Sequence, residues 1–386
     1  MFNEETYHIA LFGFGTIGKG VYEIINNKET ENLQNIDIEF VYVREEKVAE
    51  LSKKYPDLHF TSNVEEILND DCIDIVVEAM GGIEPAFTIA KKAMIAGKDF
   101  VTCNKMLVAN KYNELKKISN DTFSKLCYEA SVGAGVHIFH SIYDIKKVDT
   151  IQCFIGIING TSNYILTKME QEGRDFDDVL KETQKLGFAE RDPSDDIDGI
   201  DPKYKALILN NFIYDKSYDL NKVINFGIRY ISQKDFIYAA NEHKTIKLIA
   251  TGDSENSFVI PMFLSEDDVL AKVDKNYNAL EVFSNNLGSS VYVGPGAGSL
   301  PTAHGVVLDV VNLINGDTVI YPYEYDHADI KNDLKANFYI RYKDISIFNN
   351  ILDHAIDDDT IVTKEIDIKD LYELTKNIKD IFVAKI

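Results

Sequence analysis

Residues 7–18 read Tyr7-His8-Ile9-Ala10-Leu11-Phe12-Gly13-Phe14-Gly15-Thr16-Ile17-Gly18, an apolar strand running straight into a GxGxxG turn. Glycines also mark ordinary turns, so the triplet alone is a weak signal. A strand before it and a helix after it are what a dinucleotide fingerprint demands. In such a turn Gly13 permits the tight reversal, Gly15 lets the backbone approach a pyrophosphate, and Gly18 brings helix close to strand. Phe14, Thr16 and Ile17 fill the same turn, whose N–H groups at the helix start suit phosphate. Working outward, short apolar strands are expected over 7–12, 38–43, 73–77, 100–102 and 124–128, with helices between them such as 17–25 and 85–96. Strict alternation of this kind forces right-handed crossovers and a doubly wound parallel sheet. The fold class is α/β, with an N-terminal Rossmann domain over 1–135.

Past Tyr128 the alternation breaks. A strand over 150–158, helices over 162–171, 177–185 and 202–214, and strands over 245–250, 258–264, 279–283 and 290–293 predict an α+β domain with an open mixed sheet over 136–301. The breaker Gly294-Pro295-Gly296-Ala297-Gly298 precedes a helix over 302–314, started near Ser299 or Thr302. Extended to 318, that helix is expected to complete the first domain. The tail, 323–386, reads as a separate βαβαβ module: strand 338–342, helix 345–355, strand 361–366, helix 370–378, strand 382–386.

Composition bounds the function. The 386 residues carry 40 Lys+Arg against 63 Asp+Glu, a formal net charge of −23. A field of that sign repels nucleic acid and anionic lipid, which points to a small-molecule substrate and to no nucleic-acid or membrane partner. The four cysteines, Cys72, Cys103, Cys127 and Cys153, lack metal or disulfide spacing, and three sit in strand-like stretches, so buried free thiols in a reducing compartment are expected. The acidic start Met1-Phe2-Asn3-Glu4-Glu5-Thr6 lacks the order of a signal peptide. A cytoplasmic location is expected.

Cofactor choice turns on the end of the second strand, where a carboxylate binds the ribose of NAD and an arginine accommodates the extra phosphate of NADP. Arg44 stands there, followed by Glu45 and Glu46. NADP is the preferred reading, with NAD open if the turn is offset by one residue.

The densest polar stretch runs from Gly187 to Asp201, with six carboxylates in the twelve positions 190–201. An EF-hand is excluded, because the positions that should supply its last ligand are Lys203 or Leu207. A solvated acidic loop is the plain alternative, but Phe188, Ile197 and Ile200 interrupt it. Lys205 follows Asp201 by four residues, on one face of a helix. Carboxylates beside a lysine make a grip for an ammonium group plus a proton donor. Lys105, just past strand 100–102, and Glu129, one strand later, lie at the carboxyl edge where open α/β sheets bind ligands. In Asn159-Gly160-Thr161-Ser162-Asn163, Thr161 or Ser162 is suited to cap a helix.

These blocks, in this order, resemble the homoserine dehydrogenases: the glycine fingerprint, Asn104-Lys105, 128–135, 159–164, Gly187 through Lys205, Gly296-Ala297-Gly298 and Pro301-Thr302-Ala303. The likeness covers about 9–314. It implies NAD(P)H-dependent reduction of L-aspartate 4-semialdehyde to L-homoserine, on the route to threonine, isoleucine and methionine, by a homodimer or homotetramer. It implies catalytic roles for Lys205 and Lys105, substrate binding by Glu190 and Asp201 with Asp196 in support and Thr161 alongside, and cofactor contacts at Gly81, Lys105, Gly187 and Gly298. Glu129, with the carbonyls of Val132, Ala134 and Val136, is similar to a structural sodium site. Two departures stand out. Thr183 replaces a small alanine four positions before Gly187, which should touch packing. The tail is similar to a regulatory ACT module but has three strands where that βαββαβ unit has four, leaving threonine binding or oligomer contact as its roles.

Hydride arriving at an aldehyde carbon leaves negative charge on the oxygen, which Lys205 is typed to stabilise and protonate. A lysine with an ordinary pKa of about 10.4 is protonated at neutral pH, so the reverse oxidation is expected to rise towards alkaline pH. Two other readings fit the fingerprint: an oxidoreductase for another amino-acid-derived aldehyde or imine, and a non-catalytic NAD(P) sensor. The sensor needs a basic nucleic-acid-reading face that a chain of this charge lacks. With the first strand at residue 7, no aspartate kinase region is expected upstream.

Overall fold

The computed structural model describes residues 6–319 and 326–386. The acidic start (1–5) and the first residues of the tail (323–325) therefore lie outside the described residues. The chain divides into two compact units, Met1–Asp144 with Ala297–Asp326, and Ile145–Gly296 with His327–Ile386.

The first unit alternates β1 (Tyr7–Phe12), α1 (Thr16–Asn27), β2 (Ile36–Tyr42), α2 (Glu45–Lys54), β3 (His59–Thr61), α3 (Val64–Leu68), β4 (Ile73–Glu78), α4 (Ala86–Ile95), β5 (Asp99–Thr102), α5 (Lys105–Thr122) and β6 (Leu126–Cys127), after which comes α6 (Ile138–Lys146). The strands form one parallel sheet in the order β3-β2-β1-β4-β5-β6. That order reverses direction between β1 and β4, the place where such sheets hold a ligand. On β4 all but Asp74 of Ile73–Glu78 is buried, as expected for a strand covered on both faces. The three-residue β3 carries too little apolar pattern to be read from sequence. Helix α12 (Ser299–Asn315) adds Ala303, Val306 and Val310 to the core that Ile9, Leu11, Val21 and Val77 form. Gly20 makes this packing fit: a Cβ there would lie 2.9 Å from the Ala303 side chain and from the Ser299 carbonyl.

The second unit contains β7 (Ile151–Ile157), α7 (Gly160–Glu172), α8 (Phe176–Lys185), α9 (Ser194–Ile197), α10 (Ile200–Tyr214), α11 (Gln233–Asn241), β8 (Lys244–Asp253), β9 (Ser257–Ser265), β10 (Tyr277–Ser284) and β11 (Gly288–Pro295). The tail adds β12 (Phe338–Arg341), β13 (Leu352–Asp357), β14 (Thr360–Thr363), α13 (Ile368–Thr375) and β15 (Phe382–Lys385). One mixed sheet of ten strands runs β11-β10-β7-β8-β9-β15-β12-β14-β13, with Ile224–Asn225 also paired to β9. Its core joins Ile249, Phe258 and Ile260 to Phe338, Ile340 and Val383 of the tail.

The tail differs from its expected form in two ways. The helix expected over 345–355 is a short 3₁₀ turn, Ile345–Phe348, followed by strand β13. Apolar Ile345, Phe348 and Ile351 mimic helical spacing, but Asn349-Asn350 interrupts the run, and His354 and Ala355 pair antiparallel with β14. The βαβαβ order therefore does not form: the tail gives the large sheet β12, β13, β14 and β15, four strands rather than the three expected, in the order β, 3₁₀ turn, β, β, α, β. Nor is the tail a separate module. Strand β15 sits between β9 and β12, parallel to the first and antiparallel to the second, and fuses the tail into the unit.

The expected buried thiols are also corrected. Of the four free cysteines only Cys127 is buried, Cys103 and Cys153 are half-buried, and Cys72 is exposed. No described helix is long and apolar enough to cross a membrane.

The β10–β11 hairpin is closed by a distant carboxylate. Asp149 accepts from the backbone N–H of Asn286 and Leu287, each at 2.9 Å from Oδ2, and from Thr150 at 2.7 Å. Burial alone would raise this carboxyl. The N–H of Leu287, the Ser284 hydroxyl and the N–H groups of Asn286 and Thr150 outweigh it and hold the pKa at about 2. A pKa depressed on folding stabilises the fold above the unfolded value and is lost as pH falls through the folded one. Asp149→Ala is expected to melt earlier than the parent at pH 7, with the gap closing between about pH 4 and pH 2, read from thermal melts across that range.

Candidate active site

In the first unit the glycine fingerprint forms as a phosphate cradle. Gly13 has φ +102°, and a Cβ on it would lie 2.7 Å from the Ala79 carbonyl. A Cβ on Gly18 would fall 2.1 Å from the Gly13 carbonyl, so only glycine allows this turn between strand and helix. At Gly15 the opposite holds: a Cβ would meet open space. Gly15 is also the N-cap of α1 and supplies no side-chain cap, so the helix presents its first N–H groups at Thr16 and Ile17 to an anion. The Ser299 hydroxyl of α12 donates to the Thr16 carbonyl at 2.6 Å and pins the turn. Gly298 precedes it with φ +121°, a backbone only glycine adopts readily. These residues fit a dinucleotide. Phe14 turns inward among Tyr22, Tyr55 and Phe60, and so supports the cradle from behind.

Arg44 stands just past β2, as the sequence placed it, and caps the start of α2. Its guanidinium is 79% exposed and, among the described residues, pairs with Glu46 at 3.3 Å. Such a pair is worth little in water and gives way to a phosphate.

The carboxyl edge of β4 and β5 carries a network the sequence reading missed. Buried Glu78 accepts from the N–H of Met80 (2.7 Å) and Gly81 (3.0 Å) and from the Thr102 hydroxyl (2.6 Å). Asn104 caps α5 through the N–H of Leu107 and donates to the Gly82 carbonyl at 2.5 Å. The turn that presents Gly81 is thus tied to the helix that begins at Lys105. An acid ending an otherwise apolar strand was the available signal.

Glu129 is fully buried. Its carboxylate accepts from the N–H of Phe139 (2.9 Å) and His140 (3.1 Å) and from the His140 ring. Its own N–H donates to Asp309 at 2.8 Å. Burial, followed by the charge of Glu129, pushes the Asp309 carboxyl well above the usual range. The intervening loop holds Gly133, Ala134 and His137 in left-handed backbone, with Val132 just before them and Val136 between Ala134 and His137. Two non-glycine residues in that region mark a loop held by its surroundings.

In the second unit α10 brings Asp201 and Lys205 together. Both are buried, and the lysine Nζ donates to Asp201 Oδ2 at 2.7 Å and to the Ile158 carbonyl at 2.9 Å. Asn159 organises the pair. Its Oδ1 accepts from the Ser162 N–H at 2.7 Å and so caps α7, which leaves Nδ2 facing the acids. Nδ2 donates to Asp196 Oδ1 at 2.7 Å and to Asp201 Oδ2 at 2.8 Å. One amide thereby holds two carboxylates and, through one of them, the lysine. The cap expected at Thr161 or Ser162 is Asn159 instead, and the Thr161 hydroxyl donates to the Phe188 carbonyl at 2.8 Å. The cluster of two acids and one lysine carries net negative charge and suits an ammonium group.

Glu190 lies exposed on the turn after α8, anchored through its backbone carbonyl by Gln184 at 2.9 Å. Gly187, with φ +80°, starts that turn. Thr183 is a packing residue, as its replacement of alanine suggested: it is fully buried, bonds the Val179 carbonyl with its hydroxyl, and accepts the Phe188 N–H at 3.0 Å.

The comparisons with known proteins agree along the chain. The family profile "Homoserine dehydrogenase, NAD binding domain" matches residues 13–129, and "Homoserine dehydrogenase" matches 138–311. The homoserine dehydrogenase of Lactococcus lactis is 36% identical over 318 residues, covering 80% of this chain and 74% of that protein. A solved homoserine dehydrogenase from Thiobacillus denitrificans superposes with TM-score 0.85 at 29% identity, over 99% of this chain and 98% of that one. A hyperthermophilic archaeal homoserine dehydrogenase mutant, solved in complex with NADPH, gives TM-score 0.70 at 28% identity, over 82% of this chain and 99% of that one. The readings as a sensor or as an oxidoreductase for another aldehyde give way, and the chain belongs to the homoserine dehydrogenase family, NAD(P)-dependent oxidoreductases acting on a CH–OH group.

Proposed function

We propose that this enzyme interconverts L-homoserine and L-aspartate 4-semialdehyde with NADP, and that Lys205 is its proton donor and acceptor. The observation that carries the assignment is the buried ammonium of Lys205, fixed by Asp201, the Ile158 carbonyl and, through Asp201, Asn159. The nicotinamide cofactor supplies the hydride when bound. The chain's own residues do the rest. The N–H groups at the start of α1 bind the pyrophosphate, with Gly81, Gly187 and Gly298 as further cofactor contacts. Glu190 and Asp201 take the substrate ammonium, Asp196 keeps Asn159 and Asp201 in place, and Thr161 borders the pocket. Lys205 gives its proton to the oxygen as the aldehyde is reduced, and must have lost one to take it back in oxidation. Lys105, which opens α5, is the second lysine on the substrate and cofactor.

Lys205→Ala and Lys105→Ala should each lower kcat for homoserine oxidation about 10²-fold or more while leaving cofactor binding by fluorescence titration near the parent. Near-parental turnover in either variant removes its assigned role. Asn159→Ala should lower turnover similarly, because the two carboxylates lose their shared donor. An Asn159→Ala enzyme with the parental kcat would show that Asp201 holds Lys205 unaided.

NADP preference rests on Arg44, whose exposed guanidinium is free to exchange Glu46 for a 2′-phosphate. Arg44→Ala should raise KM for NADP about tenfold and change KM for NAD little, measured as the ratio of kcat/KM with the two cofactors. An unchanged ratio would mean that Arg44 does not read the phosphate.

A structural sodium ion at Glu129, with the carbonyls of Val132, Ala134 and Val136, is supported by two buried carboxylates beside a strained loop. The ion would order that loop and take no part in the hydride step. Exchange of sodium for choline should lower Tm with little change in the KM for homoserine. A homodimer or homotetramer is supported by exposed apolar Val293 on edge strand β11 and Leu287 in the turn before it.

A further inference from the structure

A cavity lies wholly within the second unit and borders, through Asp198, the segment that carries Asp196, Asp201 and Lys205. It encloses about 220 Å³ and is lined by Asp198, Phe226, Arg229, Tyr372, Lys376 and Val383 among others. Its wall is therefore shared between the tail, through α13 and β15, and the loop that packs under α9 and α10.

That loop, 225–230, is clamped on both sides. Towards the active segment, Arg229 forks onto Asp198 with Nε at 2.7 Å from Oδ1 and Nη2 at 2.6 Å from Oδ2. The same Nη2 reaches the Ser194 hydroxyl at 3.0 Å. Asn225 donates to the Asp198 carbonyl at 2.8 Å, and the Ile228 N–H to the Ile197 carbonyl at 2.7 Å. Gly227 lies so close that a Cβ on it would be 2.3 Å from the Ile197 carbonyl. Towards the tail, Arg341 of β12 donates to the Tyr230 carbonyl and pairs with buried Asp235 at 2.7 Å. Movement of Arg229 is thus felt at Ser194 and Asp198, between Asp196 and the start of α10.

The chemistry of the wall narrows the ligand. Each oxygen of Asp198 already accepts from Arg229, and the other charged groups of the wall are cations, which favours an anionic ligand over an ammonium. Arg229 keeps Nη1 outside the Asp198 and Ser194 bonds, and Lys376 adds an ammonium whose ion pair among the described residues is with exposed Glu373. Opposite these cations stand apolar Val383 and the edge-to-face rings of Phe226 and Tyr372, 5.6 Å between centroids. At about 30 Å³ per water-sized unit, the space suits roughly seven non-hydrogen atoms. We propose that this cavity is a regulatory site for a small organic monocarboxylate with a branched aliphatic body, whose occupancy is transmitted through Arg229 and Asp198 to the Lys205 helix.

The proposal goes beyond the dehydrogenase reading, and direct binding tests it independently of turnover. The probe is 3-methylbutanoate, titrated calorimetrically into the full chain, with 3-methylbutan-1-ol and inorganic phosphate as probes carrying only the body or only the charge. Saturable binding by the carboxylate alone is expected. Lys376→Ala, at an exposed position outside the catalytic segment, should keep basal kinetics and bind the probe about tenfold more weakly. In the parent, the saturated site should change KM or kcat for homoserine by about fivefold. No saturable heat, equal binding by the alcohol or by phosphate, or undiminished binding in Lys376→Ala would each overturn the site. Binding without a kinetic change would overturn its coupling to the helix.

Discussion

The active segment depends on one amide. Asn159 spends its oxygen on capping α7 and its two N–H groups on Asp196 and Asp201. Asp201 in turn holds Lys205 in a pocket where both are buried. Removing a buried ion from water costs several kcal/mol, and the attraction of a partner repays this only when geometry and hydrogen bonds are complete. The amide, the Ile158 carbonyl and the i, i+4 spacing on α10 complete them here. A hydrophobic pair would serve stability as well. Under the proposed role of Lys205, the ion pair is kept because a proton must be moved there.

Much of this was legible in the sequence because it rests on local rules. The fingerprint could be read since Gly13 and Gly18 answer to sterics within six residues of one another. Lys205 could be paired with Asp201 because helix geometry fixes which positions meet. Arg44 was placed by counting to the end of a strand. The residues that escaped are those whose partners are remote. Glu78 ends an apolar strand, but its meaning lies in Thr102, on the adjacent β5. Asn159 was noticed as part of a motif, yet its role rests on Asp196 and Asp201, some forty residues on.

The tail shows the opposite failure. Ile345, Phe348 and Ile351 have the spacing of a helix face, and periodicity alone favours one. The segment instead supplies β13, because an existing strand, β14, offers an edge whose ladder outweighs a weak helical preference broken by two asparagines. Likewise, nothing in residues 382–385 reveals that their partner is β9, whose last residue is Ser265. Short strands are chosen by their neighbours.

That last insertion bears on how the molecule is made. Strand β15 comes after every other strand of the ten-stranded sheet in the chain, yet it occupies the sheet's interior between β9 and β12. During synthesis the ribosome delivers β9 more than a hundred residues before its neighbour exists. The sheet must therefore wait with an open slot until β15 has been made. The first unit waits as well, since α12 arrives after most of the second has been translated. Each unit is thus completed by a segment that lies far along the chain from the elements it joins, α12 in the first and β15 in the second.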